Sequence, residues 1–116
     1  MKKIKAYFKK HKFNSVVTEL NKISSHGGIG GISSYETLGF GKGKAINVDN
    51  TITYETNSLI PSICIEIFCK DEVVDETVKA IQKAAHTGMK GDGKIFITSI
   101  VDAIRIRDGK NGEEVL

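Results

Sequence analysis

The sequence predicts a single α+β domain in the order strand, helix, strand, strand, helix, strand, with both helices on one face of an antiparallel sheet. Three observations lead there. Residues 3–8 alternate polar and apolar, the period of a half-buried strand. Two later segments carry apolar residues at helical spacing, and the remaining apolar runs return to period two. The 116 residues suffice for one domain, 1–116, and leave no room for a second.

Each element has its own local signal. Ile4, Ala6 and Phe8 define the buried side of the first strand, with Lys3, Lys5 and Tyr7 opposite. Asn14 is placed to cap a helix in which Val16, Leu20 and Ile23 recur on one face. Ser24 to Gly28 ends that helix, and a glycine-rich passage through Gly31 leads into a second strand over about Ile32 to Phe40. A polar stretch from Gly41 to Ser58 follows, and Pro61 precedes the third strand, whose Ile63, Ile65 and Ile67 face the core. A connection of roughly 17 to 20 residues greatly exceeds the usual ~4–6 and reads as a functional loop. The second helix has Asp71 at its expected N-cap, acidic residues in its first turns and Lys79, Lys83 and His86 toward its end, as the helix dipole favours. Val74, Val78, Ile81 and Ala85 form its buried stripe, and Gly88 stops it. A glycine-rich turn, Thr87 to Lys94, opens into the strand Ile95–Thr98. Residues 103–107 alternate again, so Ile104 and Ile106 are expected to face the core, with Arg105 and Arg107 projecting together from the other face. This order is the ferredoxin-like βαββαβ pattern.

Seventeen basic against fourteen acidic residues give a formal charge of +3, weak support for a nucleic-acid partner, and the lysines near the N-terminus read as the solvated face of a strand. An RNA-reading sheet of this shape needs aromatics on adjacent strands, and no RNP-like pair stands out in the sequence. No apolar stretch approaches the ~20 residues of a membrane span, and no apolar segment follows the N-terminal lysines, so neither membrane insertion nor a secretory signal is expected. Cys64 and Cys69 are an odd number of residues apart on one strand and point to opposite faces. Two unpaired thiols suit a cytoplasmic location.

Gly88 to Lys94 spells G-x-x-x-x-G-K, but Ile95 replaces the hydroxyl residue that would hold Mg²⁺, and a strand follows where a phosphate-binding P-loop opens a helix. Glycines that let backbone amides converge, beside a lysine, still suit an anion. Arg105 and Arg107 add two guanidiniums able to grip a polyphosphate, and Gly39-Phe40-Gly41-Lys42 is a third place where backbone can approach a ligand. His11, His26 and His86 lack metal-ligand spacing, so no metal site and no catalytic residue is expected. Glu66, an acid inside an apolar strand, either faces solvent or accepts a hydrogen bond from a bound base or sugar.

With these residues in view, the chain resembles the PII signal-transduction family. Thr87 to Phe96 resembles that family's B-loop signature (87–94), and Ala103 to Gly109 its C-terminal signature; the opening Met1 to Ile4, the Gly39-Phe40-Gly41 turn and Pro61 extend the likeness along nearly the whole chain. The resemblance implies a homotrimer that binds ATP or ADP between subunits. Gly41, Lys42, Gly43, Gly91, Asp92, Gly93 and Lys94 would line the phosphates, with Arg105, Ile106 and Arg107 closing in from the neighbour and Ser33, Glu66 and Phe68 near the nucleoside. It implies a T-loop over about 42–60, carrying Thr51, Tyr54 and Glu55, that docks onto an ammonium transporter or a nitrogen-metabolism enzyme. In the family 2-oxoglutarate would lie near Gly43 and Gly91, and Mg²⁺ at the position of Gly43. Gly43 stands where the family usually has glutamine, however, and Ser62 where it has a lysine for 2-oxoglutarate. The T-loop's modifiable tyrosine falls at Glu55, one place after Tyr54, and its channel-plugging arginine at Thr51. The implied role is regulation of nitrogen metabolism; the alternative is a nucleotide sensor that ignores 2-oxoglutarate and serves a different target. An ATP-hydrolysing enzyme is the competing class.

Overall fold

The computed structural model describes residues 1–39 and 60–116. Among them, β1 (Lys2–Lys9), α1 (Phe13–Ser24), β2 (Ile29–Gly39), β3 (Ile60–Cys69), α2 (Val74–Ala85) and β4 (Lys94–Ser99) follow the expected order. The strands form one antiparallel sheet in the order β2-β3-β1-β4. The ferredoxin-like prediction holds.

The alternation in β1 decides how the sheet is used. Ile4, Ala6 and Phe8 are buried and meet Ile67, Ile65 and Ile63 of β3 in register. Val16, Leu20 and Ile23 of α1 and Ile81 and Ala85 of α2 are buried with them, which places both helices over this one face. Burying each of the valine, leucine, isoleucine and phenylalanine side chains is worth about 1.5–3 kcal/mol. Thr77, also on α2, is wholly buried, which its polarity hid from the sequence reading. Its hydroxyl donates to the Val73 carbonyl at 2.7 Å, so this buried polar group is satisfied. Val74 and Val78 pack only partly buried at the margin. The two thiols are free and both buried: Cys69 on the helix side, Cys64 on the opposite face between Tyr7 and Tyr35.

Five boundaries differ from expectation. Strand β2 starts at Ile29, three residues early, because a bulge between Ile29 and Ile32 absorbs one extra residue at the flexible glycine pair. Asn14 does not cap α1: a 3-10 turn over Lys10–Lys12 runs directly into Phe13, leaving Asn14 inside the first turn. Asp71 likewise caps nothing. It opens a 3-10 turn, Asp71–Val73, ahead of α2, and its carboxylate meets the Met1 ammonium at 3.0 Å. Helix α2 ends at Ala85, ahead of Gly88. Pro61, expected to precede the third strand, lies inside β3; it is tolerated there because it sits opposite Leu38 of β2 and beyond the stretch paired with β1.

The largest departure is the C-terminal segment. It adds no strand to the sheet: residues 103–111 form a hairpin-like loop held by one bridge, Ile104 to Asn111. Ile104 and Ile106 are exposed and do not face the core. Turn hydrogen bonds to the Arg105 carbonyl from Asp108 and Gly109 reverse the chain before a second pair can form.

Gly93 is where packing demands glycine most strictly. At φ +105° a Cβ would overlap the Tyr7 carbonyl oxygen and lie 3.0 Å from the Phe8 Cα. Gly109, at φ +70°, has open space around it. Gly93→Ala is expected to destabilise by on the order of 4 kcal/mol or more, and Gly109→Ala by about 1 kcal/mol. Denaturant unfolding of the two variants side by side checks this; equal losses would show that the β1 contact yields.

Candidate functional site

The glycine-rich turn is built around one carboxylate. Asp92 accepts hydrogen bonds from the Thr87 amide and the Gly88 amide, each at 2.9 Å, and from the Thr87 hydroxyl. Lys9, at the end of β1, adds its ammonium at 3.3 Å from Asp92 and 3.2 Å from the Thr87 hydroxyl. His86 Nδ1 stands 3.8 Å away. The Thr87 hydroxyl, its amide and its neighbours hold the Asp92 carboxyl far below the ordinary aspartate range. Asp92 therefore works as the internal clasp of the turn, and the Thr87, Gly88 and Met89 amides are directed inward to Asp92 and the Thr87 oxygen. The amides of Lys90, Gly91 and Gly93 take no hydrogen bond among the described residues. Positive φ at Gly88, Gly91 and Gly93 gives the turn its shape. Lys94 starts β4 and is exposed, with no ion pair among the described residues. Asp92, Gly93 and Lys94 border a cleft of about 410 Å³ whose other wall is α2, with Val78, Ile81 and Gln82.

The C-terminal loop is clasped in the same way. Asp102 accepts from the Ala103 amide at 2.8 Å, the Gly112 amide at 3.1 Å and the Asn111 side chain at 3.1 Å. Asn111 and these amides lower its carboxyl pKa. The two arginines are not equivalent, as their spacing had suggested. Arg105 is bound to Asp108 through Nε at 3.0 Å and Nη2 at 2.6 Å, and this contact raises the guanidinium pKa and lowers that of the carboxyl. Arg107 is exposed, with no ion pair among the described residues. Ile106 and Val101 are wholly exposed beside them. No hydrogen bond or ion pair links 87–94 to 103–109 among the described residues of this one chain.

Ser33, Glu66 and Phe68 do come together, on the open face of the sheet. Ser33 pairs with Glu66 across β2 and β3, and Phe68 lies two residues further along β3, partly exposed. Sequence reasoning missed Lys5 and Tyr35, which complete this patch. Lys5 Nζ is 3.3 Å from Glu66 Oε1 and lies over the rings of Tyr7 and Tyr35, at 5.6 and 5.8 Å from their centroids. Contacts with Tyr35, Tyr7 and Glu66 raise the Lys5 pKa above its ordinary range. The signal available was the register that seats position 5 beside position 66, which no local pattern carries. Tyr7 and Phe96, on adjacent strands, do form an aromatic pair on this face, meeting edge to face at 6.2 Å. Ser62, the position where a lysine was expected by resemblance, shares a 2.7 Å hydrogen bond with Thr37. Gly41, Lys42, Gly43, Thr51, Tyr54 and Glu55 lie outside the described residues.

The sequence that folds into this sheet, turn and loop matches a known family. The model of the family described as nitrogen regulatory protein P-II matches residues 1–110. The chain belongs to the P-II family. Similar proteins of that description include those of Azospirillum brasilense, 37% identical, and Rhodospirillum rubrum, 38% identical, each over the full length of both chains. The Rhodobacter capsulatus protein is 39% identical, again over the whole of both. In this P-II chain the glycine-rich turn and the C-terminal loop are each stiffened by an internal aspartate.

The Asp92 clasp has a pH signature. Because the folded-state pKa is depressed, the stabilisation is present above the unfolded value of ~3.9 and is lost as pH falls from there through the folded pKa. Asp92→Asn is expected to flatten the acid limb of the stability curve below about pH 4. Denaturant midpoints between pH 2 and 7 for both proteins test it; parallel curves would remove Asp92 from that role.

Proposed function

We propose that this P-II chain is a nucleotide-responsive regulator, not a catalyst: a homotrimer that binds ATP or ADP between subunits and controls a protein partner through the loop around residues 42–60. One observation carries the reading. In a single chain Lys94 and Arg107 have no ion pair among the described residues, and Val101, Ile104 and Ile106 are exposed apolar side chains flanking the arginines. A neighbouring copy that covers the isoleucines would carry Arg107 toward a turn such as 91–94, where unpartnered amides and Lys94 suit a polyphosphate.

In this arrangement Gly91, Asp92, Gly93 and Lys94, with Gly41, Lys42 and Gly43, serve the phosphates from one subunit. Arg105, Ile106 and Arg107 approach from the next, and Ser33, Glu66 and Phe68 border the nucleoside. Asp92 contributes shape and not direct contact, since its oxygens already serve Thr87, Gly88 and Lys9. Nucleotide binding alters the populations of a partner-docking loop, which is how a protein without catalytic groups transmits a signal. The partner class is an ammonium transporter or a nitrogen-metabolism enzyme. The Thr37–Ser62 hydrogen bond favours a variant of this reading in which 2-oxoglutarate is not the effector and the target lies elsewhere: no cation stands at that position to meet a carboxylate.

Titration calorimetry with ATP and ADP tests the proposal, with light scattering to read the assembly. Binding is expected to weaken ~10- to 100-fold in Lys94→Ala and in Arg107→Ala, the loss typical of a hydrogen bond to a charged group. No binding at millimolar nucleotide, or a monomer, would overturn it, and steady turnover of several ATP per second would favour the enzyme class. Even with Mg-ATP present, 2-oxoglutarate is expected to bind poorly; micromolar affinity would show that Ser62 and Gly43 are compensated.

A further inference from the structure

The open-face patch around Glu66 is asymmetric. Both protein contacts to its carboxylate fall on one oxygen: Lys5 Nζ at 3.3 Å and the Tyr35 hydroxyl at 3.5 Å from Oε1. Oε2 takes no hydrogen bond among the described residues, and the side chain is about one quarter exposed. Lys5 is itself fixed by the two tyrosine rings that flank it, so the ion pair is held from three sides. An unpaired carboxylate would recruit a cation. This one already has its countercharge and keeps one acceptor oxygen without a hydrogen bond among the described residues, which suits a neutral N–H or O–H donor.

We propose that Lys5 and Tyr35 are positioning residues that aim Glu66 Oε2 at a neutral donor of the bound nucleoside, a sugar hydroxyl or an exocyclic amine. This rests on the reading above that the nucleoside lies beside Ser33, Glu66 and Phe68. Lys5 lies one strand away from Glu66 and needs no contact with the ligand: it orients the acceptor and cancels its charge. Swinging Glu66 away from Lys5 would expose an uncompensated ammonium, so the pair resists reorientation and the acceptor is pre-organised. The site therefore discriminates among nucleotides by one donor, and the discrimination depends on Lys5.

The experiment compares affinities for ATP, 2′-deoxy-ATP, 3′-deoxy-ATP and inosine triphosphate in the intact protein and in Glu66→Gln, Lys5→Met, Lys5→Arg and Tyr35→Phe. The quantity read is the ratio of each analogue's affinity to that of ATP, which cancels any change in phosphate attraction. One analogue, the one lacking the donor, is expected to bind ~10- to 100-fold more weakly than ATP to the intact protein. That ratio is expected to fall several-fold in Lys5→Met, less in Tyr35→Phe, and to recover in Lys5→Arg. Tyr35→Phe keeps the test available should Lys5→Met fail to fold. If all four nucleotides bind the intact protein alike, or the ratio survives Lys5→Met unchanged, the inference fails while the site reading stands. If no nucleotide binds at all, both fall together.

Discussion

Strand β1 is hydrogen-bonded on both sides, to β3 and to β4, and its two rows of side chains do different work. Ile4, Ala6 and Phe8 hold the helices to the sheet, and a slip of one residue would turn that row to solvent and collapse the arrangement. Lys5 and Tyr7 build the patch on the opposite face, and Lys9 reaches past the end of the strand to Asp92 and Thr87. Even the backbone takes part, since the Tyr7 carbonyl leaves room only for glycine at position 93. The strand that organises the core therefore also fixes where the glycine-rich turn starts.

Charge is divided between the interiors of the loops and their outer surfaces. Asp92, Asp102 and Asp108 each satisfy amides or a guanidinium within their own loop, and each has a lowered pKa as a result. Lys94 and Arg107 face outward from the same loops. Loops stiffened by their own carboxylates lose little further freedom when an anion binds, which is the economy of a pre-organised site.

Much of the fold was legible along the chain. The alternation at Ile4, Ala6 and Phe8, the helical spacing of Val16, Leu20 and Ile23, and the glycine-rich turn before Ile95 each encode a local choice that the structure realises. The helix starts were misread because Asn14 and Asp71 are good capping residues by composition, while short 3-10 turns already satisfied the chain there. Residues 103–107 show why alternation alone is not enough. A strand needs a neighbour to pair with, and among the described residues this segment's one bridge is to Asn111 within its own loop.

By itself, then, the order of residues determined which faces are apolar, where the turns fall and which family the signatures resemble, because periodicity and backbone preference act over a few neighbouring positions. Only the tertiary structure decided that Asp92 is a clasp, that Arg105 is occupied by Asp108 while Arg107 is not, and that Lys5 belongs with Glu66. The physical reason is that these contacts depend on three-dimensional geometry. Asp92 and Arg105 meet groups a few residues away because the turn backbone brings them within hydrogen-bond distance. Lys5 and Glu66 are far apart in sequence and meet through the β1–β3 register, a property of the whole folded domain.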